Sequence, residues 1–443
     1  MSEQNNILKR AVKILADIEP NEVKATVWSF MFVFMLMTAY YPLRNVRDAM
    51  PSDWTDAELS WLWTLNFFIS IVVIALYGYV VSKVKFKNLV PGIYGFFAIS
   101  FVCLTFGADL ASDRTLIDKS FYAWVSIFAL FHLSVFWSYM SDLFNREQAK
   151  RLFAIIAAGA SAGGLAGPAI STFFSQILGN EGLTLISAFF ILTTIPIIYY
   201  LSKLKVTDLQ NEDLQVDPDT LKIGGNPIAG YKLFFQDPYL LGIGLFILLY
   251  TMISTFIYYE QKNLLAIYDS NTRTQILGSI DLLVNLLTFG VAFFITGRVV
   301  KRFGMGFTLA SMPVLVVAGM LILAFSPIIT ILLALQVVRR AGNYAITKPA
   351  REMLFTEVDK ESRYKAKPVI DVVVYRGGDM FTGWFFTGLT EGLGLGFTAV
   401  GIVGAGIAVI WAGVGVFLGK LYNRKKNDSP HSNSTSQNHK SPA

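Results

Sequence analysis

Charge is scarce inside the long apolar runs of this chain, and where it occurs the residue types suit holding an anion or moving a proton. Asp281 is followed one helical turn later by Asn285, and Arg339 and Arg340 stand side by side with Asn343 just beyond. A further run holds Asp371, Arg376 and Asp379, while Asn66 supplies a polar counterpart early in the chain. Ionised side chains are costly in hydrocarbon, so each of these should meet a partner or a wet cavity. One arginine of the Arg339-Arg340 pair is expected to snorkel to the headgroups and the other to point inward, the inward role being assigned to Arg340. Arg376 and Asp379 are three apart, so they can pair along one helix, either as a structural lock or as a substrate contact. Asp281 is either kept neutral by desolvation, which suits proton coupling, or paired with an arginine from another helix. His132 reads as a packed, hydrogen-bonded histidine rather than a proton relay.

A second group lies in "YYPLRNVRDAM", where Arg44 and Arg47 are three apart and follow Tyr40 and Tyr41. This is either an aromatic belt with interfacial anchors or a site where two arginines and two rings meet a flat, phosphorylated solute. The set assigned to substrate is therefore Arg44, Arg47, Asn66, Asn285, Arg340, Arg376 and Asp379. Coupling or gating is assigned to Asp142, Lys150, Asp281, Arg351 and Asp371. Lys150 in "REQAKR" and Arg351 in "TKPAREM" read first as parts of salt bridges that hold one conformation closed.

The elements that must position these residues are transmembrane helices. Runs long enough to cross a hydrocarbon layer recur near 24–43, 58–81, 88–108, 119–140, 152–178, 182–202, 239–259, 275–297, 305–325, 327–346, 368–390 and 394–418. With 54% hydrophobic and only 15% charged residues, the chain lacks the polar surface that a water-soluble globule needs. Of its 37 lysines and arginines, only Arg44, Arg47, Arg114, Lys119, Lys262 and Arg273 fall on one side of this topology, with Arg339, Arg340 and Arg376 inside spans. All the others fall on the opposite side, which the positive-inside rule makes cytoplasmic and which carries both termini. The net charge of +6 thus reports topology and attraction to an anionic leaflet, and no nucleic-acid partner is expected.

The domain organisation expected is an amphipathic cytoplasmic segment over 1–22, a six-helix bundle over 23–202, a cytoplasmic linker over 203–238, a second bundle over 239–418 and a disordered tail over 419–443. Within the first segment, residues 7–18 have apolar side chains at helical spacing. The first run starts after a long charged head, so it should remain as a span rather than be cleaved. The single cysteine, Cys103, has no partner, and its expected role is packing.

An internal repeat supports the two bundles. At an offset of 219, Ser60 matches Ser279, Asn66 matches Asn285, Gly78 matches Gly297, and Val80-Val81 matches Val299-Val300. At an offset of 217, Arg146, Ala149 and Lys150 match Arg363, Ala366 and Lys367. Repeated halves around a central path are what alternating access requires. Gly159, Gly163 and Gly167 stand four apart, so one face of that helix should admit a second backbone closely.

"GRVVKRFG" at 297–304 resembles the glycine and basic loop motif of the major facilitator superfamily, and "GYVVSKVKF" at 78–86 resembles a worn first copy. The "GGLAGP" segment resembles part of the fifth-helix motif of facilitator antiporters, although Ser171-Thr172 replace a glycine pair there. "FWSYMSDLFNREQAKRLF" at 136–153, "LRNVRD" at 43–48 and the stretch from Arg339 to Asp379 resemble the signature segments of the ATP:ADP antiporter (nucleotide transporter) family, particularly its free-living bacterial relatives. The resemblance implies an all-α membrane protein of 12 transmembrane helices, in two six-helix bundles related by a pseudo-twofold axis. It also implies exchange or uptake of nucleotides, with Arg47 and Asp142 at positions where exchangers carry a basic and an acidic residue. Asp379 falls where a lysine is expected, a charge reversal that makes a less charged or different anion plausible as substrate.

The function expected is secondary transport of an anionic, nucleotide-like or phosphorylated metabolite by exchange or symport, across a bacterial inner membrane, by a chain that works as a monomer. The alternative is a proton-coupled permease or exporter of another metabolite that uses Asp281 or Asp379 for coupling. No cofactor or metal is expected. An enzyme would need a nucleophile, an acid-base constellation or metal ligands, and none is spaced for that work. No phosphate-cradling glycine loop ending in Lys-Ser or Lys-Thr is present either.

Overall fold

A computed structural model describes residues 18–81, 86–110, 113–211, 229–294, 296–358, 366–367 and 369–428. The expected amphipathic helix at 7–18 falls almost wholly outside these residues, as do the side chains of both loop motifs before Arg302 and that of Asp371. The tail expected to be disordered over 419–443 is instead helical as far as Asp428, because the last helix runs on past the span, and the rest of it lies outside the described residues.

Every described element is helical. They are α1 Val23–Ala49, α2 Asp56–Val81, α3 Phe86–Leu110, α4 Arg114–Leu143, α5 Arg146–Thr207, α6 Ala229–Gln236, α7 Pro238–Leu265, α8 Ser270–Phe294, α9 Thr296–Phe325, α10 Ile329–Gly342, α11 Lys348–Leu354, α12 Tyr375–Thr387 and α13 Phe397–Asp428. Each of the twelve expected spans falls on helix. α5 carries two of them: its 62 residues turn at Gly179, whose φ of 66° suits glycine. Two spans are not regular. π-helical turns at Asn343–Thr347 and Val369–Val374 follow α10 and precede α12, a rare geometry associated with functional sites.

Eight helices among the described residues are long and apolar enough to cross a membrane. Their outward faces carry large apolar side chains, among them Phe68, Ile71, Val72, Phe96, Ile99, Phe173, Ile177 and Phe307. Such a surface suits lipid and would aggregate in water. Cys103 is on an exposed face of α3, so packing is not its role.

Contacts gather the chain into two compact units. One takes Met1–Asp53, Phe68–Lys222 and Tyr268–Leu282; the other takes Trp54–Phe67, Ile223–Ile267 and Leu283–Ala443. This division departs from the sequence boundaries in a symmetric way. The first part of α2 goes with the second unit, and the first part of α8 goes with the first. The 219-residue offset carries 54–67 onto 273–286, so the two displaced pieces overlap under the repeat.

In the first unit the small-residue stripe of α5 does what its spacing predicts. A Cβ on Gly159 would lie 2.5 Å from the Phe30 carbonyl oxygen, and one on Gly167 would lie 2.8 Å from Tyr41 Cβ, so α1 and α5 touch backbone to backbone. Around them Phe32 meets Phe136 and Tyr94 edge-on, with ring centroids 5.0 and 5.6 Å apart. Asn145 starts α5 with a reciprocal cap: its side chain accepts from the Gln148 amide at 2.9 Å, and its own amide donates to Gln148 Oε1 at 3.1 Å. Part of the "NREQ" signature is therefore a helix start. In the second unit α9 and α13 approach equally closely, because a Cβ on Gly419 would overlap the Gly306 backbone.

Candidate functional site

Within the first unit, α1 brings Arg44, Arg47 and Asp48 to one place, against α4 and the start of α8. Arg47 donates from Nε and Nη2 to Asp48 Oδ1 at 2.9 and 2.7 Å. Its Nη1 lies 3.5 Å from Ser126 Oγ, and its guanidinium lies 5.4 Å from the Tyr122 ring centroid. Arg44 Nε is 3.5 Å from Asp48 Oδ2, and its Nη1 is 3.8 Å from Asp281 Oδ1. Of the alternatives open for Asp281, pairing with an arginine from another helix is the one observed. The cluster holds two cations and two carboxylates. Asp48 belongs to it although it was not assigned, and its place one turn after Arg44 was a readable signal.

His132 lies beside this cluster, stacked on Tyr40 with centroids 4.2 Å apart, and its Nδ1 is 3.0 Å from the Ala129 carbonyl oxygen.

Within the second unit a different cluster forms between α7, α10 and α12. Arg339 is buried; its Nη1 donates to Ser254 Oγ at 2.7 Å and its Nη2 to Gln336 Oε1 at 2.5 Å. Gln336 in turn donates to Gln261 Oε1 at 2.7 Å. The inward arginine of the pair is thus Arg339, while Arg340 is half-buried. Helix phase decides this, since neighbours on a helix point about 100° apart. Asn343 donates to the Tyr250 hydroxyl at 3.0 Å, and the rings of Tyr250 and Tyr375 lie 6.5 Å apart.

Arg376 and Asp379 do not close an ion pair. Asp379 accepts from Thr255 Oγ1 at 3.4 Å, and half-buried Arg376 makes no hydrogen bond or ion pair among the described residues. The carboxylate turns to α7, so its attraction to the guanidinium acts without a direct contact. Asn66 in α2 is buried and Asn285 in α8 is half-buried.

Sequence reasoning also passed over Glu260. It is 1% exposed, and its Oε1 lacks a hydrogen-bond partner. The seventh span was ended at 259, one residue short of it.

Of the residues assigned to coupling or gating, Asp142, Lys150, Asp281 and Arg351 pair within their own units, and the Asp371 side chain lies outside the described residues. Asp142 meets Lys205 at 3.0 Å, and Lys150 meets Glu147 at 2.7 Å on an exposed surface. Arg151 forks onto Glu22, with contacts of 2.8 and 3.2 Å. Arg351 meets Glu352 at 2.8 Å, and Lys367 reaches the other oxygen of the same carboxylate at 2.5 Å.

That last arrangement has a pH signature. Partial burial pushes the Glu352 carboxyl up, but hydrogen bonds from Lys367 and Arg351 outweigh it and hold the group below its ordinary value. Stability from a depressed carboxylate is full above its unfolded value and is lost as pH falls through the folded one. Wild-type protein is therefore expected to lose thermal stability on the acid side more steeply than Glu352→Gln, as measured by unfolding temperature against pH. Parallel curves would show that the trio contributes nothing.

The chain as a whole is similar to known proteins. Two proteins described as ADP,ATP carrier protein 1 align along most of the chain. The one from Chlamydia muridarum (strain MoPn / Nigg) is 22% identical over 429 residues, covering 82% of this chain and 81% of its own. The one from Chlamydia trachomatis serovar D is 22% identical over 432 residues, with the same coverage. Among solved structures, a bacterial homolog of the human lysosomal transporter Spinster matches with a TM-score of 0.56 at 15% identity, covering 96% of this chain and all of that one. The nucleoside transporter NupG matches with a TM-score of 0.57 at 14% identity, covering 90% of this chain and 99% of that one. These likenesses show the fold, which is that of transporters. A family model described as Major Facilitator Superfamily matches residues 25–350, and the chain accordingly belongs to that superfamily as a multi-pass membrane protein similar to ATP:ADP antiporters.

Proposed function

We propose that this protein is a secondary active transporter that works by alternating access and moves an anionic, nucleotide-like or phosphorylated metabolite by exchange or symport. The observation that carries this reading is Arg376, a half-buried cation inside a span that makes no hydrogen bond or ion pair among the described residues. An intramembrane cation that meets Asp379 through longer-range attraction, with no direct contact among the described residues, fits a passing anion. The alignment with proteins described as ADP,ATP carriers supports a nucleotide as the first solute to test. In this reading Arg44, Arg47, Asn66, Asn285, Arg340 and Asp379 contribute to the path, and Asp142, Lys150, Asp281, Arg351 and Asp371 to coupling or gating. The chain works as a monomer in a bacterial inner membrane, with both termini cytoplasmic, as the distribution of lysine and arginine supports.

A second reading, proton-coupled transport of another metabolite, is favoured by Asp379, whose one hydrogen bond among the described residues comes from a neutral hydroxyl. Uptake of labelled ATP, ADP and AMP into liposomes carrying the protein tests both readings. The expected result is flux above that of empty liposomes, stimulated by unlabelled nucleotide inside and reduced tenfold or more in Arg376→Gln. Flux equal to that of empty liposomes removes the nucleotide and favours the second reading, and nucleotide flux that follows an imposed proton gradient instead of internal nucleotide selects symport over exchange.

A further inference from the structure

Three lysine or arginine side chains are buried among the described residues: Lys262, Arg273 and Arg339. Two of them have a carboxylate in direct contact, Lys262 with Asp56 at 2.8 Å and Arg273 with Asp53 at 2.7 Å. Arg339 breaks the pattern. It is 5% exposed, its two bonded partners are the neutral oxygens of Ser254 and Gln336, and no carboxylate lies within ion-pair distance of it among the described residues. Its Nε, also buried, has no hydrogen-bond partner.

A buried guanidinium whose charge is left uncompensated is expensive, and neutral acceptors recover only part of that cost. The surroundings hold the group ready rather than neutralise it. Gln336 is itself fixed by donating to Gln261, so its carbonyl oxygen stays turned to Arg339. The Tyr250 ring centroid lies 5.9 Å from the guanidinium carbon, and Trp411 lies on the same tyrosine at 5.7 Å. The π-helical turn at Asn343–Thr347 begins three residues beyond Arg340, and Asn343 donates to Tyr250. Two of the guanidinium nitrogens are thus oriented by protein, while the Nε N–H, the second N–H of each terminal nitrogen and the net charge remain for a ligand.

From this we infer that Arg339 is the residue that receives the oxyanion, a phosphoryl group, of the transported solute, with Ser254 and Gln336 as its positioning residues. The inference rests on the anion-transport reading above and deepens it by naming the group bound and the residue that binds it. Arginine suits the task because its charge is permanent and its planar donors match phosphoryl oxygens.

The test is the thermal stability of purified full-length protein in detergent, for wild type, Arg339→Gln and Arg114→Gln, each alone and with orthophosphate, pyrophosphate, ATP or adenosine. A ligand that binds the folded state raises its unfolding temperature. Pyrophosphate and ATP are expected to stabilise wild type and Arg114→Gln, the latter changing an exposed arginine outside the path. Arg339→Gln should need at least tenfold more of either ligand for the same shift, and adenosine should do nothing in any variant. Without ligand, Arg339→Gln should be no less stable than wild type, because an uncompensated charge has gone.

An ATP shift that survives in Arg339→Gln overturns the inference while leaving nucleotide transport standing. A shift with orthophosphate or pyrophosphate but not ATP, lost in Arg339→Gln, supports the inference and removes the nucleotide. No shift with any anion, or a less stable ligand-free Arg339→Gln whose anion shift is intact, overturns it as well. Where Arg339→Gln yields no folded protein, Arg339→Lys decides: an unchanged affinity for pyrophosphate counts against arginine's role, and a tenfold weaker one supports it.

Discussion

Gly163→Leu is expected to yield no folded protein, and Gly163→Ala to be measurably destabilised. The side chain at 163 would emerge against the Phe34 carbonyl oxygen, with Met37 Cβ at 2.8 Å and the Thr38 amide nitrogen at 3.1 Å. These are largely backbone atoms of α1, which cannot swing aside as a long side chain can. Inserting one carbon into such a contact costs about 1–3 kcal/mol, and a leucine must separate the helices altogether. The neighbours offer no relief, since Gly159 and Gly167 meet the same helix one turn away on either side. Controls lie in the same unit: a Cβ at Gly92 or Gly107 in α3 meets nothing within 4 Å, so alanine there should be neutral or slightly stabilising. Monodispersity and unfolding temperature of the detergent-purified variants measure the difference. A well-folded Gly163→Leu would mean that α1 and α5 do not touch where the stripe lies.

That stripe was legible before any coordinates, because small residues at a spacing of four on an apolar helix have few other uses. The spans were legible for a similar reason: their length and apolarity are fixed by the thickness of the membrane. Side-chain partners across helices were less so. Nothing in "QVVRRAGN" tells which arginine faces inward, since the answer depends on the rotational phase of α10, and Arg339 rather than Arg340 took that place. Arg376 and Asp379 have the spacing of an ion pair, yet Thr255 of α7 draws the carboxylate away. The π-helical turns left no mark in the periodicity, and they reset the phase of the helices on which these residues stand. The repeat was informative in an unexpected way. It related the two segments, at the starts of α2 and α8, that join the unit opposite to the rest of their helix.

The start of α2 shows what secures such a displaced segment. Lys262 Nζ lies 2.8 Å from Asp56 Oδ1 and donates to the Trp54 carbonyl oxygen at 2.7 Å, with the two charged side chains 3% and 7% exposed. Thr390 donates to the second oxygen of Asp56 at 2.8 Å, and Glu391 Oε1 accepts from the Asp56 and Ala57 amides at 2.8 and 3.1 Å. A carboxylate on the first free N–H groups of a helix satisfies donors that have no partner in the helix itself. One turn on, Ser60 bonds the hydroxyls of Tyr259 and Thr387, both at 2.8 Å. Removing one member of a buried pair leaves the other uncompensated, so Lys262→Met should cost about 3–5 kcal/mol. Adding Asp56→Asn to it should recover most of that loss, because the orphaned charge is then gone. The exposed pair Arg114–Glu181 is the contrast: its contact is similar at 3.0 Å, but its side chains are 59% and 51% exposed. Arg114→Ala should therefore cost no more than about 1 kcal/mol. Unfolding free energies in detergent for the two single variants and the double variant read this directly. Equal costs for Lys262→Met and Arg114→Ala would mean that water reaches Asp56, and that burial does not hold the start of α2.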